Sequence, residues 1–150
     1  MWKKYKPYII EIVIALAIGG LSALLTKNGM DDFREILKPP LSPPGILFPI
    51  VWTILYVLMG ISAGRCYKKA HFVPFSYRLS LFVNFLWSII FFNMKAYLFA
   101  FIWLILLFVL IVLMIARYLK IDKTAAYLQI PYLLWVIFAG YLTFGVWLLN

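Results

Sequence analysis

The sequence predicts an all-α, polytopic membrane protein, a bundle of five transmembrane helices, and three observations carry that prediction. Of its 150 residues, 66% are hydrophobic, against roughly 45–50% in ordinary soluble domains. Mean hydropathy is +1.00. The 14 basic and 5 acidic residues gather at the breaks between apolar runs, where they cannot supply the polar skin a soluble fold of this length needs. Because the cations sit at helix ends, the net charge of +9 reads as membrane topology and not as a nucleic-acid surface.

A spanning helix needs about 20 mostly apolar residues. Five runs qualify: Tyr8 to Thr26, Gly45 to Tyr67, Tyr77 to Asn93, Ala96 to Leu119 and Thr124 to Leu149. Residues 27–44 make a first outer loop, and residues 1–150 read as a single five-helix membrane domain.

On the first span, Ala15, Gly19 and Ala23 recur every four residues, a stripe that lets another helix approach closely. Glu11 lies in its first turns and reads as an interfacial carboxylate with Lys3 or Lys6 in reach. A cleaved signal peptide is the rival reading of this stretch. Its apolar run from Ile9 to Leu25 exceeds the roughly 7–15 residues of a signal core, so the segment is expected to stay.

The second span comes after a proline-dense stretch, KPPLSPPGILFP from Lys38 to Pro49. Ser42 is expected to cap the helix, with Pro43 and Pro44 in a first turn whose N–H groups are unpaired in any case, and Pro49 tightening or bending the helix entry. A stiff connection of this length over a bundle reads as a lid or binding element. Gly60 and Gly64 form a second small-residue stripe.

The third span is short and carries Ser80, Asn84 and Ser88 at helical spacing. An amide in hydrocarbon needs a partner, so Asn84 should face protein or a cavity. The third and fourth spans are joined by Met94-Lys95 alone, which predicts a tight hairpin. In the fifth, Pro131 removes the bond to the Tyr127 carbonyl, so the helix should bend near Gln129.

Ten cations fall at the amino terminus and the second and fourth breaks, and four at the first and third. The positive-inside rule then puts the amino terminus in the cytoplasm. Cys66 is the single cysteine and His71 the single histidine, so neither a disulfide framework nor a metal site is expected. No nucleophile-and-base set or carboxylate pair suggests a catalytic residue.

Trp2 and Trp147 have the interfacial positions that tryptophan favours in membranes. Trp52, Trp87 and Trp135 lie deeper. Trp52 with Tyr56, Asn84 with Trp87 and Phe91, and Trp135 with Phe138 and Ala139 are neighbours on their own helix faces. Three such stripes facing one another would line a flat slot.

The motifs KPPLSPPG, VWTILYVLMG, NFLWSIIFF and PYLLWVIFAGYLTFGVWLLN occur in that order. Over nearly the whole chain they closely resemble the translocator protein family, also called tryptophan-rich sensory proteins or peripheral benzodiazepine receptors (TspO/MBR). The resemblance implies a five-helix bundle, often a homodimer, that binds porphyrins, and in some members sterols, in a pocket capped by the first loop. It also implies a prokaryotic cell membrane as the setting, with protoporphyrin as ligand and no required cofactor.

By matching motifs, the resemblance makes Trp52 and Trp135 the pocket tryptophans, Asn84 and Trp87 the third-helix contacts, and Ala139 the small residue beside Trp135. Tyr56, Phe91 and Phe138 join them on the same helix faces, with Pro39, Pro40, Pro43 and Pro44 as the loop cap. Asp32-Phe33 stands where the family usually has Trp-Tyr, and Leu41 where tryptophan often follows Pro-Pro. The leading expectation is a receptor or carrier for flat apolar ligands. The alternatives are light-dependent porphyrin degradation through the tryptophans, and a non-binding scaffold or small transporter.

Overall fold

The computed structural model describes residues 2–150. Helix α1 spans Trp2–Leu25, α2 Lys27–Phe33, α3 Leu47–Ala70, α4 Phe75–Ser88, α5 Tyr97–Leu119, α6 Lys123–Tyr127 and α7 Ile130–Leu149. A π-helical turn, Ile89–Asn93, extends α4. Among the described residues there is no strand, and five helices are long and apolar enough to cross a membrane: α1, α3, α4 with its π turn, α5, and α6 with α7.

Helix α2 corrects the expectation of a loop over residues 27–44. The stretch is polar and shows no apolar period, but tertiary contacts fold it. Thr26 donates its hydroxyl to the Ser22 carbonyl at 2.7 Å as the chain turns out of α1. Gly29 then sits so close to the π turn that a Cβ there would lie 2.4 Å from the Phe92 carbonyl oxygen.

The start of α3 is a second correction. Ser42 does not cap it and Pro43 and Pro44 lie outside it, because a residue that precedes proline is pushed away from helical backbone angles. Ser42 instead donates to the Pro39 carbonyl at 2.7 Å, closing a turn in which Leu41 has φ 70°. The helix begins at Leu47. Pro49 falls in its first turn, where a missing N–H leaves no bond unmade.

Glu11 is the third correction. It is buried, and its partner is Arg78 of α4, not Lys3 or Lys6; both contacts are 2.7 Å. Near Pro131 the last span is interrupted, as the missing N–H requires. Leu128 and Gln129 donate back to Thr124 and Ala126 in a tight turn before α7 resumes.

The Gly60–Gly64 stripe sets how α3 meets α1. A Cβ on Gly60 would lie 2.5 Å from the Ile12 Cα, and one on Gly64 would lie 2.9 Å from the Tyr8 Cα. Around that contact, the half of the bundle toward the basic connections is solid. Tyr77, Tyr118, Tyr132, Met59, Leu107 and Ile111 are the largest fully buried side chains. Gln129 holds α7 there by donating to the Leu58 carbonyl and the Ser62 hydroxyl of α3.

The α5–α6 connection is fixed by Asp122. It accepts from the Arg65 guanidinium and, at 2.8 Å, from Lys69, both on α3, and it caps α6 through the Ala125 N–H. These cations, the Arg65 guanidinium first, hold its carboxyl down at about 2.

Candidate functional site

The other half of the bundle is hollow. A cavity of about 440 Å³ lies between α1, α3, α4 and α7, beneath α2. Each wall follows from helix spacing. On α3, Phe48, Trp52 and Tyr56 recur every four residues and so share one face. On α7, Trp135, Ala139 and Thr143 do the same, with Leu142 beside them, and a larger residue at 139 would fill the space beside the Trp135 ring.

Helix α4 reaches the cavity through Trp87 and Phe91, whose rings stack at 5.2 Å and 18°. The π turn widens this wall. In its Met94 N–H to Ile89 carbonyl bond of 3.0 Å, five residues close the ring in place of four. Phe92 therefore joins Phe91 on the cavity side.

The roof is aromatic. Phe33, at the end of α2, packs its ring 5.4 Å from Phe91, 5.6 Å from Phe92 and 6.3 Å from Phe48. The Lys38 ammonium lies 4.9 Å from the centre of the Phe33 ring. Trp135 meets Phe48 at 5.8 Å and Trp52 meets Tyr56 at 5.7 Å, so an aromatic surface runs from roof to floor.

At the floor two buried polar side chains meet. Asn84 is buried and donates its amide to the Tyr56 hydroxyl at 3.1 Å. That bond occupies the phenol oxygen as acceptor and leaves its proton free to point into the cavity. The Asn84 carbonyl oxygen and the Trp87 indole N–H have no hydrogen-bond partner among the described residues.

Of the residues that the sequence singles out, Trp52, Tyr56, Trp87, Phe91, Trp135 and Ala139 are brought together on the cavity wall. Asn84 stands one layer behind, touching Tyr56. Phe138 points away, its ring 5.5 Å from Trp135 and 6.1 Å from Tyr141.

The four loop prolines lie outside the cavity lining, and Pro39 and Pro40 belong to a strap along α7. Pro39 is buried against Gly145, where a Cβ would come within 2.6 Å of its ring. The Pro40 carbonyl accepts from the Tyr141 hydroxyl at 2.6 Å. Asn150 exchanges two hydrogen bonds with the Leu37 backbone. The strap fixes α2 and the Phe33 ring over the opening.

Sequence reasoning passed over Phe33, Phe48, Phe92 and Met30 as cavity residues. Phe48 was within reach, being four residues before Trp52. Phe33 and Met30 depend on α2, and Phe92 on the π turn, which no local pattern announces.

The family model for the TspO/MBR family matches residues 11–148. The chain belongs to the TspO/MBR family. The match takes in the cavity-lining parts of all four helices together with α2 and the proline-rich stretch. A tryptophan-rich protein TspO from Chlorobaculum tepidum is 35% identical, covering 100% of this chain and 99% of its own. One from Archaeoglobus fulgidus is 33% identical, covering 95% of each chain. The translocator protein of Bos taurus is 29% identical over 94% of this chain and 90% of its own. As a TspO/MBR member the chain is an integral, multi-pass membrane protein whose helices sit in a lipid bilayer.

Among the described residues, no group of three His, Cys, Asp or Glu side chains is placed to hold a metal ion. Cys66 is buried and donates to the Phe72 carbonyl at 3.3 Å.

Proposed function

We propose that this protein is a membrane receptor or carrier that binds porphyrin-like or other flat, largely apolar molecules in the cavity beneath α2. One observation carries the reading: Trp52 of α3 and Trp135 of α7 line the same 440 Å³ cavity, a volume in the range of roughly 300–1,000 Å³ that takes small-molecule ligands. Flat rings gain most from such walls, since each well-placed aromatic contact adds about 0.5–1.5 kcal/mol beyond the area it buries. Trp52, Trp87, Phe91 and Trp135 would face the ligand, Ala139 would leave it room, and Tyr56, oriented by Asn84, would meet a polar edge. Sterol-like ligands fall within the same class.

The test is a tryptophan-fluorescence titration with protoporphyrin in lipid nanodiscs. Saturable quenching is expected, weakened at least tenfold in the Trp52→Leu, Trp135→Leu double variant. Equal affinity in that variant would remove both residues from the site.

The amino terminus and the basic connections are proposed to be cytoplasmic, in a prokaryotic cell membrane, because ten of the fourteen cations lie at that end. Two copies are proposed to pair as a homodimer, which single-molecule photobleaching in nanodiscs would count.

A further inference from the structure

The cavity is not sealed evenly. Toward α4 and α7 its lining is buried or half-buried: Trp87 6%, Phe91 4%, Ala139 7% and Thr143 1% exposed, with Ser88, Phe92 and Trp135 half-buried. Above, α2 and the strap cover it. On the remaining side Leu16, Gly20 and Ala23 of α1, and Pro49 and Thr53 of α3, line the cavity and are exposed on the outside of the bundle.

The cause is how α1 is held. In the basic half, Gly60 and Gly64 bring α3 against the α1 backbone. Toward α2 the helix is fastened to α4 instead, where Asn93 donates its amide to the Leu25 carbonyl at 2.9 Å and Gly29 rests on the Phe92 carbonyl. The two helices therefore diverge. At this height the Tyr56 ring bridges to α1 by resting on Gly19, whereas a Cβ on Gly20 would meet nothing within 4 Å.

The gap lies within the spanning part of both helices. Leu16 is nine residues from the end of α1, or about 14 Å at 1.5 Å per residue. Its rim suits hydrocarbon: Leu, Gly, Ala and Pro contribute no polar side chain, and the Thr53 hydroxyl is already given to the Pro49 carbonyl at 2.7 Å.

We propose that this gap between α1 and α3 is a lateral doorway through which the cavity is loaded from the bilayer. The inference takes the cavity as the binding site and adds its route. It narrows the ligand class to molecules that partition into the membrane before they bind, and it leaves the strapped loop as a fixed wall. Gly20 is the threshold, since side-chain volume added there projects into the doorway.

The experiment reads access without any bound ligand. Ser88 lies on the far wall, and Ser88→Cys in a Cys66→Ala background places one thiol there. In nanodiscs this thiol is expected to react with a lipid-dissolved N-alkyl maleimide at a rate that rises with the reagent-to-lipid ratio. A membrane-impermeant cationic methanethiosulfonate added to the water should leave it unmodified over the same period. Adding Gly20→Phe, or separately Ala23→Phe, should slow the lipid-borne reaction at least tenfold. Parent-rate labelling in both doorway variants, or ready labelling from water, would overturn the proposal. The porphyrin titration is independent of this result, so a failed doorway and a failed pocket give different outcomes.

Discussion

The carboxylate of Glu11 and the guanidinium of Arg78 meet as a two-pronged ion pair, with 2.7 Å at each prong, joining α1 to α4 across a sequence separation of 67 residues. Glu11 is 6% exposed, so Arg78 stands where water would otherwise meet its carboxylate. Removing one member of such a pair strands the other, at a cost of about 3 kcal/mol. Arg78→Ala, which leaves the buried Glu11 carboxylate without its partner, is therefore expected to lower the stability measured by denaturant unfolding in detergent by that amount, and Glu11→Ala, which leaves an Arg78 side chain 38% exposed and open to solvation, by less. The Glu11→Ala, Arg78→Ala double variant should lose less than the sum of the single variants.

Two glycines on facing helices give a matched contrast. A Cβ on Gly60 would press on the Ile12 backbone at 2.5 Å, so Gly60→Ala must push α1 and α3 apart. A destabilisation of about 2 kcal/mol or more is expected. Gly20→Ala meets nothing within 4 Å and should stabilise α1 by about 0.5–1 kcal/mol, because alanine loses less backbone freedom in a helix. Thermal unfolding of the two variants under one condition checks both signs.

Acid should loosen the basic end first. With its carboxyl at about 2 in the folded protein against 3.8 ordinarily, Asp122 contributes stability that is fully present above about pH 4 and is lost as pH falls toward 2. The contribution is roughly 2 kcal/mol. An unfolding midpoint followed from pH 6 to pH 2 should fall over that window, and Asp122→Asn should flatten this part of the profile.

The strap is held by few bonds and is correspondingly easy to release. Asn150→Ala deletes both bonds to the Leu37 backbone, at about 0.5–1.5 kcal/mol each. Amide hydrogen exchange over residues 34–42 is expected to quicken roughly tenfold or more, with the core of α5 unchanged. Protection equal to wild type would show that Pro39 on Gly145 holds the strap unaided.

The five crossings were legible because long apolar runs cannot be mistaken once charges mark their ends. The break before α7 was legible for the same local reason, a proline that cannot donate. What escaped was whatever two distant segments decide together. Lys27–Phe33 turns helical because Gly29 fits onto Phe92, and Glu11 finds Arg78 instead of a nearby lysine. The face of α3 carrying Trp52 and Tyr56 followed from spacing, but Asn84 could only be given a partner, not a layer, and Phe138 shares a helix with Trp135 without sharing its direction. Ser42 had the right chemistry for a cap and the wrong neighbours, since two prolines after it hold the chain extended.

The π turn at Ile89–Asn93 means that the aromatic wall on α4 depends on counting. One surplus residue lets two consecutive phenylalanines look the same way. Deleting a residue in that interval would restore an ordinary α-helical winding and turn Phe92 out of line with Phe91. The Asn93 side chain would swing off the Leu25 carbonyl at the same time. The shape of the chamber and the lean of α1 are thus geared to a single insertion, and a relative lacking it would need a differently seated first helix.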